Sequence, residues 1–218
     1  MTTWSLRKEG VMPTKLFFEL NEDKQRKIIG VGISEFATYG YINSSTNRIV
    51  KSSGISKGSL FKYFPNKEEF YFFILDTVTA DFIESLEKKT SELSSELFQR
   101  IIEYSALEFS WYIQNPEKAK LVISAFTKSD TEIYRKTIER YGIKKLDVYY
   151  NLIKDVDLSN FRWDKQKTIN ILKWFLKGFN EDFLGSIQID NYSFEHIQNK
   201  HIKSLTEYME ILKIGLLK

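Results

Sequence analysis

The chain has 218 residues, 42% of them apolar and 15% aromatic, and a formal net charge of +3. It has no cysteine, which excludes a disulfide scaffold and cysteine-ligated metal centres. Only three prolines and ten glycines punctuate it, which argues against a many-turned β protein and for long helices.

No apolar run approaches the roughly 18–20 residues of a membrane span. The opening "MTTWSLRKEGVMPTKLFFEL" lacks the uninterrupted apolar core of a signal peptide. A soluble, cytoplasmic protein without a membrane partner is therefore expected. Met12 offers a second candidate start. Charge divides unevenly: residues 1–70 carry +4 and the remainder −1. Between Tyr41 and Lys67 stand Arg48, Lys51, Lys57, Lys62 and Lys67 with no acid among them, the footprint expected of a polyanion partner.

In chain order, residues 22–39 place Ile28, Ile29, Ile33, Phe36 and Ala37 at helical spacing, with Gly40 as a stop. In "NSSTNRIVKSSG", Ser44 or Ser45 caps a short helix that Gly54 ends. Ser56 caps another to Phe64, Pro65 and Asn66 break the chain, and Asn66 caps a long helix from Lys67 to about Lys89. Further helices are expected over 94–114, over Glu117–Thr127 after Asn115-Pro116, and from Ser129, with Gly142 a kink or an end. Asp164 caps one over 165–187, and the last covers 194–217. The fold class is all-α.

Two short helices joined by a glycine turn match a helix-turn-helix. Gly54 can adopt the left-handed conformation that the turn requires. Ile49, Val50, Ile55, Leu60 and Phe64 lock the helices together, leaving Thr46, Asn47, Lys57, Gly58, Ser59 and Lys62 outward. Gly58 lets backbone approach a groove, and the N–H groups at Ser44–Thr46 and Ser56–Gly58 suit phosphate oxygens.

"SGISKGSLFKYFPNKEEF", preceded by "STNRIVK" and "EFATYGY", resembles the DNA-binding region of TetR-type bacterial transcriptional regulators, over roughly residues 22–75. Beyond about residue 90 only the general helical, aromatic character is shared. The resemblance implies an N-terminal extension over 1–20, a three-helix DNA-binding domain over 21–66, and a larger ligand-binding and dimerisation domain over 67–218. It places Ser45, Thr46 and Asn47 on phosphate and base. Lys57, Gly58, Ser59 and Lys62 face the major groove, while Tyr63 and Lys67 meet the DNA backbone. Phe61 departs from the family pattern, where tyrosine is common, and its role stays open. The implied function is a homodimeric repressor on a palindromic operator of double-stranded DNA. Its reading helices stand ~34–36 Å apart, and a small molecule that tilts the helix beginning at Lys67 releases it. The alternative is a DNA-anchored protein-interaction factor of the same fold with no small-molecule inducer.

The last two predicted helices are apolar on more than one face, which calls for a partner helix pair. The dimer stripe expected is Leu172, Leu176, Phe179 and Phe183 with Leu205, Tyr208, Leu212 and Leu216. Phe109, Trp111, Tyr112, Phe126, Tyr134, Tyr149, Trp174 and Phe175 are candidates for lining a pocket for an unidentified apolar or aromatic ligand. His196 and His201 are five apart, off the spacing of a helical metal pair, and no catalytic or cofactor motif is present. Neither an enzyme, a metal site nor a cofactor is expected.

Overall fold

The computed structural model describes the backbone of residues 13–127, 129–153, 156–186 and 193–217. It describes their side chains except those of residues 142–151, 153 and 184. Among the described residues ten α-helices succeed one another, with a 3-10 turn at Thr90–Glu92 between the fifth and the sixth: α1 (Lys15–Phe18), α2 (Glu22–Asn43), α3 (Thr46–Ser53), α4 (Lys57–Tyr63), α5 (Lys67–Glu87), α6 (Leu97–Gln114), α7 (Pro116–Phe126), α8 (Glu132–Ile153), α9 (Lys165–Ser186) and α10 (Phe194–Leu216). Among the described residues extended pairing is limited to one isolated bridge, Phe161 to Leu217.

The caps explain the starts. Asn21 accepts the Lys24 N–H at 2.9 Å, Ser56 that of Ser59 at 3.0 Å, Asn66 that of Glu69 at 2.9 Å and Asp164 that of Lys167 at 2.9 Å. Each satisfies a donor that the first helical turn leaves open, a contribution of about 1 kcal/mol apiece. Ser45, not Ser44, caps α3. Gly40 does divide α2, with φ 63° inside the helical run, and a last turn continues to Asn43. Gly54 ends α3 in the left-handed region, φ 71° and ψ 31°. By contrast, α8 passes through Gly142 without a break. The short α1 lies within residues 1–20, the expected N-terminal extension.

The described chain forms two compact units, one running through Glu84 and completed by Glu117–Ala125, the other comprising Ser85–Pro116 and Phe126 onward. The first unit thus extends well beyond the boundary expected at residue 66. Its core is aromatic: Phe17, Phe36, Phe64 and Phe70 are fully buried, and Phe64 lies 4.7 Å from Phe70 and 5.2 Å from Phe73 between ring centroids. Gly32 allows α2 and α5 to close, since a Cβ there would stand 2.7 Å from the Phe70 ring and 2.8 Å from Ile74. Ser34 on α2 meets Glu117 on α7 at 3.2 Å, and Lys118 bonds Asp81 on α5 at 2.7 Å.

In the second unit α6, α9 and α10 enclose a polar centre. His201 is 3% exposed, its Nδ1 3.2 Å from Ser105 Oγ and its Nε2 3.1 Å from Asn180 Oδ1. The amide oxygen can only accept, so Nε2 carries the proton and Nδ1 accepts from the serine hydroxyl. Rings of Phe109, Phe179 and Phe183 surround the imidazole at 4.7–5.0 Å, and burial lowers its pKa from 6.5 to about 4.

Most of the expected dimer stripe faces the interior of the single chain. Leu172, Leu176, Phe183, Leu205 and Leu216 are buried within the single chain, and Phe179 packs on His201. Leu212 is half-buried and only Tyr208 stands exposed. The outward apolar groups are instead Trp174 at 69% exposure, Ile211 at 64% and Ile214 at 78%. Both stripes of these helices are apolar, and periodicity alone does not say which turns inward.

Candidate nucleic-acid interface

The helix-turn-helix rests on a lock between α2 and α3 that the motif does not announce. Glu35 is buried and receives Arg48 Nε at 3.0 and 3.1 Å and Nη2 at 2.6 Å. The Ser45 N–H donates to the same carboxylate at 2.7 Å. Arg48 also donates to the Asn43 carbonyl at 2.9 Å and lies 4.0 Å above the Tyr39 ring. Its guanidinium pKa is raised, chiefly by the hydrogen bonds to Glu35. One of the five charges in the acid-free window is therefore paired with a buried acid of the same chain, its guanidinium still partly open to solvent. The available signal was Glu35 itself, an acid on the apolar stripe of α2 between Ile33 and Phe36.

Lys67 is turned inward as well. Its Nζ donates to the carbonyls of Ser44 at 2.8 Å and Ile42 at 3.3 Å and sits 4.7 Å from the Tyr41 ring centroid. Burial lowers its pKa, opposed by the Glu35 charge. Lys67 thus grips the end of α2 within the protein.

What remains on the outer face of α3 and α4 is Asn47, Lys51, Lys57, Gly58, Phe61 and Lys62, all exposed. Leu60 and Phe64 turn inward at 1% exposure. A Cβ on Gly58 would meet only Ser56 Oγ at 3.8 Å, so the residue adjoins open space. Thr46 and Ser45 are half-buried at the start of α3, and the Ser59 hydroxyl is held 2.8 Å from that of Ser56. Tyr63 is half-buried, with its ring centroid 6.1 Å from that of Phe17. A further cation comes from α2: Lys27 Nζ lies 3.5 Å from where a Cβ on Gly54 would stand. The window from Tyr41 to Lys67 could not include it.

The pocket candidates divide. Phe109 and Trp111 are buried and Tyr112 half-buried, Phe109 meeting Tyr112 at 5.4 Å. Phe175 stacks on Phe179 at 5.6 Å, which joins it to Phe109 across His201. Phe126 pairs separately with Tyr141, and Tyr134 is half-buried. The side chain of Tyr149 lies outside the described residues. Trp174 is on the surface, apart from this aromatic group. Among the described residues no group of acids and histidines could hold a metal ion, and no helix is long and apolar enough to cross a membrane.

The described residues thus combine a capped helix-turn-helix with a larger helical unit, an arrangement suited to binding duplex DNA. Residues 28–72 match the family model for bacterial regulatory proteins of the TetR family. That match spans α3, α4 and the adjoining parts of α2 and α5. The HTH-type transcriptional regulator YxaF of Bacillus subtilis is 30% identical over 125 residues, covering 56% of this chain and 63% of that protein. The HTH-type regulator QacR of Staphylococcus aureus is 26% identical over 196 residues, covering 88% and 97%. The fold is shared with FadR of Bacillus subtilis, solved in complex with stearoyl-CoA, at a TM-score of 0.64 and 17% identity over 83% of this chain and 97% of that one. These relatives are regulators of transcription.

Proposed function

We propose that the chain is a homodimeric repressor that α4 and the start of α3 seat on a palindromic operator, and that a small apolar or aromatic ligand releases. The observation that carries this reading is the outer face of α3 and α4. Its cations Lys51, Lys57 and Lys62 point to solvent around the open Gly58, while Arg48 and Lys67 are bound internally. Cations on phosphate supply affinity, and groups that reach base edges supply sequence discrimination. Asn47, Lys57, Ser59 and Lys62 are the candidates for bases, and Ser45, Thr46 and Tyr63 for phosphate.

The dimer would form through Trp174, Tyr208, Ile211 and Ile214, apolar groups too exposed to be core. Gly178 and Gly215, each with open space about it, allow a second helix pair to approach closely. An apolar ligand is supported by the aromatic shell around His201 and by the stearoyl-CoA bound to the related fold. Such a ligand acts only if it binds the released conformation more tightly; equal affinity for both shifts nothing.

Selection from a random pool of DNA duplexes tests the reading. A palindrome with half-sites one helical turn apart is expected, and stearoyl-CoA or a comparable amphiphile should weaken binding to it. Recovery of no preferred sequence would sink the proposal. Retention of operator binding across a broad panel of apolar ligands would favour a factor without an inducer.

A further inference from the structure

The recognition helix is seven residues long, and its C-terminal carbonyls are satisfied by a segment outside the family-defining motif. The last four carbonyls of any helix lack partners within it. In α4 the Lys62 carbonyl accepts the Thr14 hydroxyl at 2.7 Å, and the Tyr63 carbonyl accepts the Thr14 N–H at 2.9 Å. Three residues on, Phe17 is fully buried, with ring centroids 5.1 Å from Phe64, 5.3 Å from Phe73 and 6.1 Å from Tyr63. The far end of this segment is tied to α2, where Gln25 Nε2 donates to the Leu20 carbonyl at 2.8 Å. The family model begins only at residue 28.

A helix this short has little rigidity of its own. Its pose against α2 and α5 is set by what holds its two ends. Ser56 and the Gly54 turn hold the start, and Thr14 and Phe17 hold the finish. Lys62, one of the outward cations, is the residue whose carbonyl Thr14 binds. Base readout requires side chains placed to within a fraction of an ångström, whereas attraction to phosphate tolerates looser placement.

We propose that Thr14 and Phe17 are positioning residues for DNA reading: segment 13–20 braces the C-terminal end of α4, so discrimination among DNA sequences depends on residues ahead of the helix-turn-helix. This rests on the assignment of α4 as the reading helix.

The test uses the full-length protein and two duplexes, the selected operator and a scrambled sequence, with affinities measured by fluorescence anisotropy over a range of salt. Thr14→Val keeps the N–H and the shape but removes one hydrogen bond. It is expected to lower operator affinity about two- to tenfold, the worth of one such bond. Affinity for the scrambled duplex and its salt slope should stay as in the parent protein. Phe17→Ala should reduce discrimination further, and Phe17→Leu should restore part of it. Where Phe17→Ala fails to fold, Thr14→Val carries the test. Unchanged discrimination in folded Thr14→Val overturns the proposal. So does a fall in salt slope of about one, which would make Thr14 a direct phosphate contact. Lys62→Ala, measured alongside, separates the two levels. If it loses discrimination while the Thr14 variant does not, the brace alone fails. If neither does, α4 is not the reader and both assignments fall.

Discussion

The carboxylate of Glu35 holds Arg48 through three contacts of 2.6–3.1 Å and takes the Ser45 N–H at 2.7 Å, so one buried acid fixes the entry of α3, the first helix of the motif. Replacing it by glutamine keeps the volume but removes the charge and part of the acceptor capacity. Glu35→Gln should lower unfolding stability by about 1–2 kcal/mol, measured by urea denaturation. Operator affinity should fall in parallel. Unchanged stability would show that the fork contributes nothing net.

Lys62 and Lys67 are five residues apart and separable by salt. The exposed Lys62 faces the proposed groove, and Lys67 is bound to the carbonyls of Ile42 and Ser44. Lys62→Ala should weaken operator binding with its circular dichroism unchanged. If its ammonium meets phosphate, the salt slope should flatten by about one. Lys67→Ala should leave the slope as it is and lower the thermal midpoint, since two carbonyls at the end of α2 lose their donor. A flattened slope in Lys67→Ala at unchanged stability would restore the DNA-backbone role implied by the family pattern.

His201 sets an acid limit. Unfolded, its ring takes up a proton near the ordinary 6.5; folded, only at about 4. Between those values the unfolded chain binds more protons, so stability should fall as pH drops through that window and level off below about 4. The full effect is about 3 kcal/mol at most. His201→Gln should flatten this part of the stability–pH curve while costing stability at neutral pH, where Ser105 and Asn180 lose a matched partner. An unaltered curve in the variant would place the acid sensitivity elsewhere.

The outward apolar groups of α9 and α10 give a prediction about assembly. Ile211→Asp with Ile214→Asp should convert the proposed dimer to monomers in sedimentation equilibrium and reduce operator affinity, since two linked reading heads bind far more tightly than one. Leu205→Ala, a change inside the protomer at 1% exposure, should instead cost about 2–5 kcal/mol of stability. If the aspartate variant stays dimeric, the second copy sits on another face.

Much of the fold was readable because helix caps are local. Ser45, Ser56, Asn66 and Asp164 act within three residues of themselves, and Gly54 turns the chain for reasons carried by its own backbone. What escaped depends on distant pairing. Counting cations between Tyr41 and Lys67 could not reveal that Glu35 consumes Arg48 or that Lys67 folds back on α2. Nor could apolar periodicity tell the buried face of α9 from the one carrying Trp174. The role of segment 13–20 was hidden for the same reason: four helical residues give no usable period, and their partners lie 48 residues away.

The participation of residues 117–125 in the first unit bears on synthesis. Glu117 meets Ser34 across 83 positions, and Lys118 meets Asp81 across 37. A nascent chain that has left the ribosome only as far as residue 84 carries every side chain proposed to touch DNA, yet lacks the α7 residues that belong to the same unit. Contacts so far apart in sequence close late. The DNA-reading head therefore comes first in the message but is completed only after α6 and most of α7 have emerged.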